Sequence, residues 1–418
     1  MNLPVNIERL QREMDMLASF TDAEQSGLPD ERAVTRIVFS EHDLQARAWL
    51  KSLYADAGLA VREDAVGNTF ARWTGSEPDL PAVGTGSHTD AIPHAGMYDG
   101  TLGVLGGLEA IRALQRSGVQ PRRSIELLMF TAEEPTRFGI GCLGSRLLAG
   151  TLDATAADNM PGMDERTLQE TRELAGFTGD LAGVRLPLGT YSAWVELHIE
   201  QGPLLERDGI DIGVVTHIAA PASYRFQVQG VGGHAGALLM PDRHDALCAA
   251  AELVLAVEAA ALASGAIDTV ATIGTVAVYP GAINSVPSQV RLGLDLRDID
   301  PARRDDVMRR IRSASSSIAS RRDIVIDEET INADPPAACS EDTMAVIEHA
   351  CIDIGISYKH MVSRAYHDSL FMAQIAPAAM IFVPCRAGVS HRPDEFSSPS
   401  AMENGVHVLA ATLRSLAE

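Results

Sequence analysis

Apolar residues return at helical intervals over residues 5–25 and again over 41–58. In the second run Leu44, Ala48 and Leu53 lie near one face, and Gly58 stops the pattern. Two short segments follow, AVGTGSH (82–88) and SIELLMF (124–130), whose length and composition predict strands. The Gly-rich start and helical pattern between them predict a helix over about 101–116. Strand, helix, strand is the repeating unit of a mostly parallel sheet. Short helical patterns occupy 141–185, and WVELHIE (194–200) predicts a further strand.

From about residue 219 the rhythm changes. YRFQVQG (224–230), TVATIGTVAVY (269–279), QVRLGLDLR (289–297) and DIVIDEE (323–329) read as strands. A long Ala/Leu helix over 242–263 and a second over 301–319, opened by Pro301, lie among them. This β-α-β-β-α-β order is the ferredoxin-like arrangement. After about 332, helices near 341–355 and 367–375, the strand AAMIFVP (378–384) and a closing helix restore the first pattern. The expected fold is α/β: a mostly parallel-sheet domain built from 1–218 and 332–418, with a smaller ferredoxin-like (α+β) unit, 219–331, inserted into it.

Charge and cysteine content narrow the function classes. Lys and Arg number 34 against 56 Asp and Glu, a net charge of −22. That argues against nucleic acid or an anionic membrane as partner, since either requires a basic patch. No segment approaches the roughly 18 uninterrupted apolar residues of a membrane span; the run from Ala246 to Ala263 comes nearest and is broken by Glu252 and Glu258. The charged N-terminal segment lacks the apolar core of a signal peptide. Cys142, Cys248, Cys339, Cys351 and Cys385 are scattered, without any CxxC pair, and read as buried small residues in a reducing compartment. A cytoplasmic protein is expected.

Four segments carry candidate chemistry at predicted strand ends. In GSHTDAIPHAGMYDG (86–100), His88 and Asp90 point to the same side; His88 suits a metal ligand, and the Asp90 carboxylate suits the group that orients it. Asp99 follows in a Gly-rich loop, where one carboxylate can bridge two metals. In FTAEEPTRFG (130–139), Glu133 and Glu134 point in different directions, so one can bind a metal while the other faces a water. In WVELHIEQG (194–202), Glu196, His198 and Glu200 share one strand face. His391 in GVSHRPDE follows the strand AAMIFVP. Taken alone, the first segment reads equally as a solvated loop and the third as a half-exposed edge strand; a solvated acidic turn is weakened for the second by Pro135 and Phe138, and His391 by itself is a weak signal. A fifth set lies in the inserted unit: His234 in GVGGHAG, with Asn284 and Arg297 suited to clamp a carboxylate. Taken alone, these read as a turn His, a turn Asn and a surface Arg.

In this order, GSHxD, the following DG, EEPTRFG, LHIEQGP, GGHAG, NSVPS, DLRDID and SHRP resemble the amidase/hydantoinase/carbamoylase branch of the aminoacylase-like dinuclear metallopeptidase superfamily, over essentially the whole chain. The resemblance implies a hydrolase acting on linear amides, with two divalent ions per subunit, Mn²⁺ favoured and Zn²⁺ the alternative. It puts His88 and Asp99 on one metal, with Asp99, Glu134, His198 and His391 completing the pair, and makes Glu133 the acid/base. His234, Asn284 and Arg297 become residues of a lid that also forms a homodimer, and Gln201 lies near the substrate. EEPTRFGIGCLGSRLLAG (133–150), residues 212–243 and SRAYHDSLFMA (363–373) are nearest to the ureidoglycolate-cleaving members, which yield glyoxylate, ammonia and CO₂; Tyr366 and His367 would then line the pocket. Allantoate and N-carbamoyl-L-amino acids are the alternative substrates. A non-catalytic metal-binding relative would need a broken ligand or base position, and all six are filled.

Overall fold

The computed structural model describes residues 3–28 and 30–418; residues 1, 2 and 29, inside the span read as the larger domain, lie outside the described residues. The chain divides into two compact units. One comprises Met1–Thr216, Ala338–Ser363 and His367–Glu418, the other His217–Ala337 and Arg364–Tyr366.

The larger unit is built on a nine-stranded sheet. Its centre is four parallel strands lying side by side in the order Ala378–Val383, Tyr191–Ile199, Ala82–His88 and Ile125–Phe130. Antiparallel strands extend it on both sides: Ile212–Ile218 beside Ala378–Val383, and Thr69–Trp73 then Ala60–Glu63 beyond Ile125–Phe130. The central strands are buried on both faces, which is why their sequences do not alternate cleanly. The helix Thr101–Arg116 is buried over its first fourteen residues and packs on the strands and on the helix Pro399–Ala417. Glycine lets it come close: a Cβ on Gly103 would lie 2.5 Å from the main-chain oxygen of Leu197.

The smaller unit is a four-stranded antiparallel sheet in the order Val270–Tyr279, Gln289–Asp298, Ala220–Gln229, Val325–Ala333. Helices Ala246–Leu262 and Pro301–Arg322 start at Asp245 and Asp300, whose carboxylates accept from first-turn amides. Alternation builds the core: Tyr224, Phe226 and Val228, with Val290, Leu292, Leu294 and Leu296, meet Leu253, Val257, Val307 and Ile311. This is the ferredoxin-like topology.

Several local expectations change. The first helix ends at Ser19, because Thr21 turns its hydroxyl to the Ala23 and Thr35 amides. The helix read over 367–375 shrinks to Ser369–Met372, and the strands Ile212–Ile218 and Tyr358–Ser363 had no clear pattern. Residues 364–366 fall with the smaller unit, far in sequence from its main span. All five cysteines are free; four are buried, but Cys248 is exposed on the helix Ala246–Leu262. Among the described residues no helix is long and apolar enough to cross a membrane.

Leu253, fully buried in the smaller core, gives a test of that packing. Leu253→Ala should cost ~2–5 kcal/mol. Urea unfolding followed by circular dichroism should show a lower midpoint at unchanged slope.

Candidate active site

Each of the four central parallel strands delivers a polar residue at or beyond its carboxyl end, where ligands bind in open α/β sheets. His88 ends Ala82–His88; Glu133 and Glu134 follow Ile125–Phe130; His198 is next to last in Tyr191–Ile199; His391 follows Ala378–Val383. Asp99 reaches all three imidazoles. Its Oδ1 lies 3.1 Å from His198 Nε2 and 3.6 Å from His88 Nε2, and its Oδ2 lies 3.2 Å from His391 Nε2. His391 Nε2 is also 3.4 Å from Glu134 Oε1. The donors thus form two groups of three, His88/Asp99/His198 and Asp99/Glu134/His391, each with its ligand atoms within 4.8 Å and both sharing Asp99. His198 therefore groups with His88.

The imidazoles are oriented from behind. His88 Nδ1 faces the Asp90 main-chain oxygen at 3.0 Å and His198 Nδ1 the Ile199 oxygen at 2.8 Å, which leaves the Nε2 atoms toward Asp99. The Gly100 N–H also meets His198 Nε2, at 3.1 Å. Asp90 thus meets His88 Nδ1 with its main-chain oxygen, and its carboxylate Oδ1 lies 3.8 Å from the same nitrogen. The carboxylate also accepts from the amides of Glu133 (3.3 Å) and Glu134 (3.0 Å), and so fixes the turn that aims both glutamates. Glu133 Oε2 lies 3.6 Å from His88 Nε2, and its Oε1 accepts from the Cys142 thiol at 3.5 Å.

Burial dominates the electrostatics. It pushes the Glu133 carboxyl well above the usual carboxylate range and Glu134 up to about 7. Burial also opposes charge on Asp99, but the imidazoles of His198, His391 and His88 set around it hold its carboxyl well below that range. Contact with Asp99 raises His391 to about 9. An ionised carboxylate at the meeting point of two imidazole-and-carboxylate groups, all nitrogen and oxygen donors, fits a pair of borderline or hard divalent cations.

A third group, Glu196/His198/His367, has ligand spacing too, but its carboxylate is already engaged. Glu196 accepts from Ser87 Oγ (2.7 Å), Ser369 Oγ (2.5 Å) and the Ser369 amide (3.2 Å). His367 packs against His198 with ring centroids 4.4 Å apart. Glu200 accepts from the Leu204 and Leu205 amides and caps a short helix. Gln201 donates to Asp99 Oδ2 at 2.7 Å, and its amide oxygen is buried without a hydrogen-bond partner among the described residues.

The other candidates sit in the smaller unit. His234 is exposed on a two-residue strand beside Ser285–Val286, and the Ala235 amide donates to the Asn284 oxygen at 2.9 Å, so His234 and Asn284 are neighbours. Arg297 is paired with Asp295 at 2.8 Å, donates to the Arg364 oxygen at 3.3 Å, and lies 5.8 Å from the centroid of the Tyr366 ring. Sequence reasoning missed Asp295, although two residues apart on a strand was the available signal. It also missed Glu395, whose only signal was its place after SHRP.

The family model for peptidase family M20/M25/M40 matches residues 84–415, and the chain belongs to that family. Ureidoglycolate hydrolase of Arabidopsis thaliana is 51% identical over 99% of this chain and 87% of that protein. N-carbamoyl-L-amino acid amidohydrolase of Geobacillus stearothermophilus is 39% identical over 92% of this chain and 94% of that protein. A crystal structure of the protein designated AtUAH in complex with glyoxylate superposes with a TM-score of 0.91 at 51% identity, covering 99% of this chain and 98% of that one.

Gly100 tests how tightly the ligands are packed. It has φ +66°, and a Cβ there would lie 2.4 Å from the His88 ring. Gly100→Ala should displace His88 and reduce metal uptake, measured by elemental analysis after equilibration with Mn²⁺; full uptake would show that the loop yields.

Proposed function

We propose that the protein is a dinuclear-metal amidohydrolase that cleaves the ureido C–N bond of ureidoglycolate. The observation that carries this reading is Asp99 among three imidazoles, with Glu133 beside it and sharing contact with His88. The substrate rests on the ureidoglycolate hydrolase relative and on the glyoxylate held by its structural neighbour. The metal ligands are His88, Asp99, Glu134, His198 and His391, with Mn²⁺ favoured over Zn²⁺.

When bound, the divalent ions supply Lewis acidity to the attacking water and to the carbonyl oxygen. The chain does the rest. Glu133, whose carboxyl burial raises well above the usual carboxylate range, takes a proton from the water and delivers it to the leaving nitrogen. Asp90 keeps that carboxylate aimed by holding the 133 and 134 amides. His234 donates to the carbonyl oxygen as charge develops there. Arg297 and Asn284 bind the substrate carboxylate, with the Tyr366 ring shaping the pocket beside Arg297. His367 and the free amide oxygen of Gln201 meet the ureido group. The full reaction consumes water and gives glyoxylate, two ammonia and CO₂.

The smaller unit also forms the homodimer in this reading. Val270–Tyr279 is the end strand of its sheet, with Val276 and Tyr279 exposed, and the adjoining helix exposes Leu255 and Leu262. An apolar, unpaired edge of this kind invites a second copy. The free thiols suit a reducing, cytoplasmic setting.

Ammonia release from ureidoglycolate, allantoate and N-carbamoyl amino acids by Mn²⁺-loaded protein tests the substrate. Ureidoglycolate should lead in kcat/KM by about tenfold or more, a transition-state preference of ~1.4 kcal/mol. A lead by another substrate keeps the mechanism and overturns the specificity. Glu133→Gln should keep the metals and lose ~10²–10⁴-fold in kcat; near-normal turnover would remove Glu133 as the base. Arg297→Ala should raise KM for carboxylate substrates, and an unchanged KM would place the carboxylate elsewhere. Leu255→Arg should yield monomers by light scattering; an intact dimer would move the interface.

A further inference from the structure

The two halves of the candidate metal centre are supported in different ways. His88 and His198 are fully buried, and each is braced by a main-chain oxygen of its own strand or turn. His391 is different. Its side chain is 47% exposed, its backbone sits at φ +59°, and it rides on the loop that follows Ala378–Val383. Something must fix that loop relative to Asp99, and one side chain spans the gap. Glu395 is 3% exposed. Its Oε1 accepts from the amides of Tyr98 (2.8 Å) and Asp99 (3.1 Å), and its Oε2 accepts from Ser390 Oγ at 2.7 Å. Ser390 Oγ lies 3.1 Å from Asp99 Oδ2, the oxygen nearest His391, and Gln201 Nε2 reaches both Ser390 Oγ (3.2 Å) and Asp99 Oδ2 (2.7 Å). The site is closed around this carboxylate: a Cβ on Gly96 would lie 2.4 Å from Glu395 Oε1.

We infer that Glu395, acting through Ser390, is a positioning residue for one of the two metal positions, the Asp99/Glu134/His391 group, and leaves the His88/Asp99/His198 group to its own supports. Glu395 joins the loop that carries Asp99 to the loop that carries His391. A serine hydroxyl has a single proton to share between Glu395 and Asp99, so the hydroxyl sets which lone pair of Asp99 Oδ2 stays open. Orienting groups of this kind alter metal affinity without touching the metal. The inference rests on the dinuclear reading above, and its test is chosen to separate the two.

Apo-protein would be titrated with Mn²⁺, free Mn²⁺ being read by electron paramagnetic resonance and bound metal by elemental analysis, for the wild type, Glu395→Ala, Glu395→Gln and Ser390→Ala. The wild type should bind two equivalents; fewer would overturn the dinuclear reading and this inference with it. In Glu395→Ala the second equivalent should weaken by ~10–100-fold while the first holds. Glu395→Gln keeps an acceptor for the two amides and can donate to Ser390, so it should recover much of the loss. Ser390→Ala removes only a hydroxyl and should weaken the second equivalent alone; it carries the test if Glu395→Ala does not fold. Equal weakening of both equivalents, or of neither, would overturn the selective role.

Discussion

The site depends on one carboxylate being kept ionised out of water. Asp99 is almost fully buried, and isolated burial would drive it to the neutral acid. Three imidazoles from three separate strand ends prevent this, and their contacts use both of its oxygens. The sheet order follows from the same requirement. Only adjacent parallel strands bring the ends of Ala82–His88, Tyr191–Ile199 and Ala378–Val383 to one place, within reach of a loop opened by Gly100.

Around Asp99 the larger unit sorts its buried acids by what they accept. Asp90 holds the amides of Glu133 and Glu134, Glu196 ties Ser87 to Ser369, Glu200 caps a helix turn, and Glu395 holds the Asp99 loop. Each has its oxygens satisfied by N–H or O–H donors, so each acts as a brace. Asp99 and Glu134 instead turn oxygens toward the imidazoles. The distinction between brace and ligand is therefore one of hydrogen bonding, since the residue types are the same.

The smaller unit follows a simpler logic. Strict alternation builds one apolar face, two capped helices cover it, and the polar ends carry His234, Asn284 and Arg297. Arg297 is held in place by Asp295, which limits the motion of its guanidinium before any substrate arrives.

Much of this was legible along the chain. The strand Ala82–His88 and the helix Thr101–Arg116 have the bounds their residues predict, because strand length, helical period and Gly-rich starts are local properties. The ordered motifs named the ligand candidates as well. Local pattern failed at 358–363 and 367–375, where neighbouring strands and packing outweigh weak propensity. It could not separate Glu196 and Glu200 from ligands, since all sit on the same strand face as His198. It paired Asp90 with His88 but did not show that the Asp90 carboxylate also holds the Glu133 and Glu134 amides, and it left Glu395 unread. For Glu196 and Glu395 the donors lie more than a hundred residues away in sequence. The sequence by itself determined the element types, the two-unit order and the inventory of acids and imidazoles. Only the tertiary structure decided which acid meets an imidazole and which meets an amide, because a hydrogen-bond partner is set by where distant strands end.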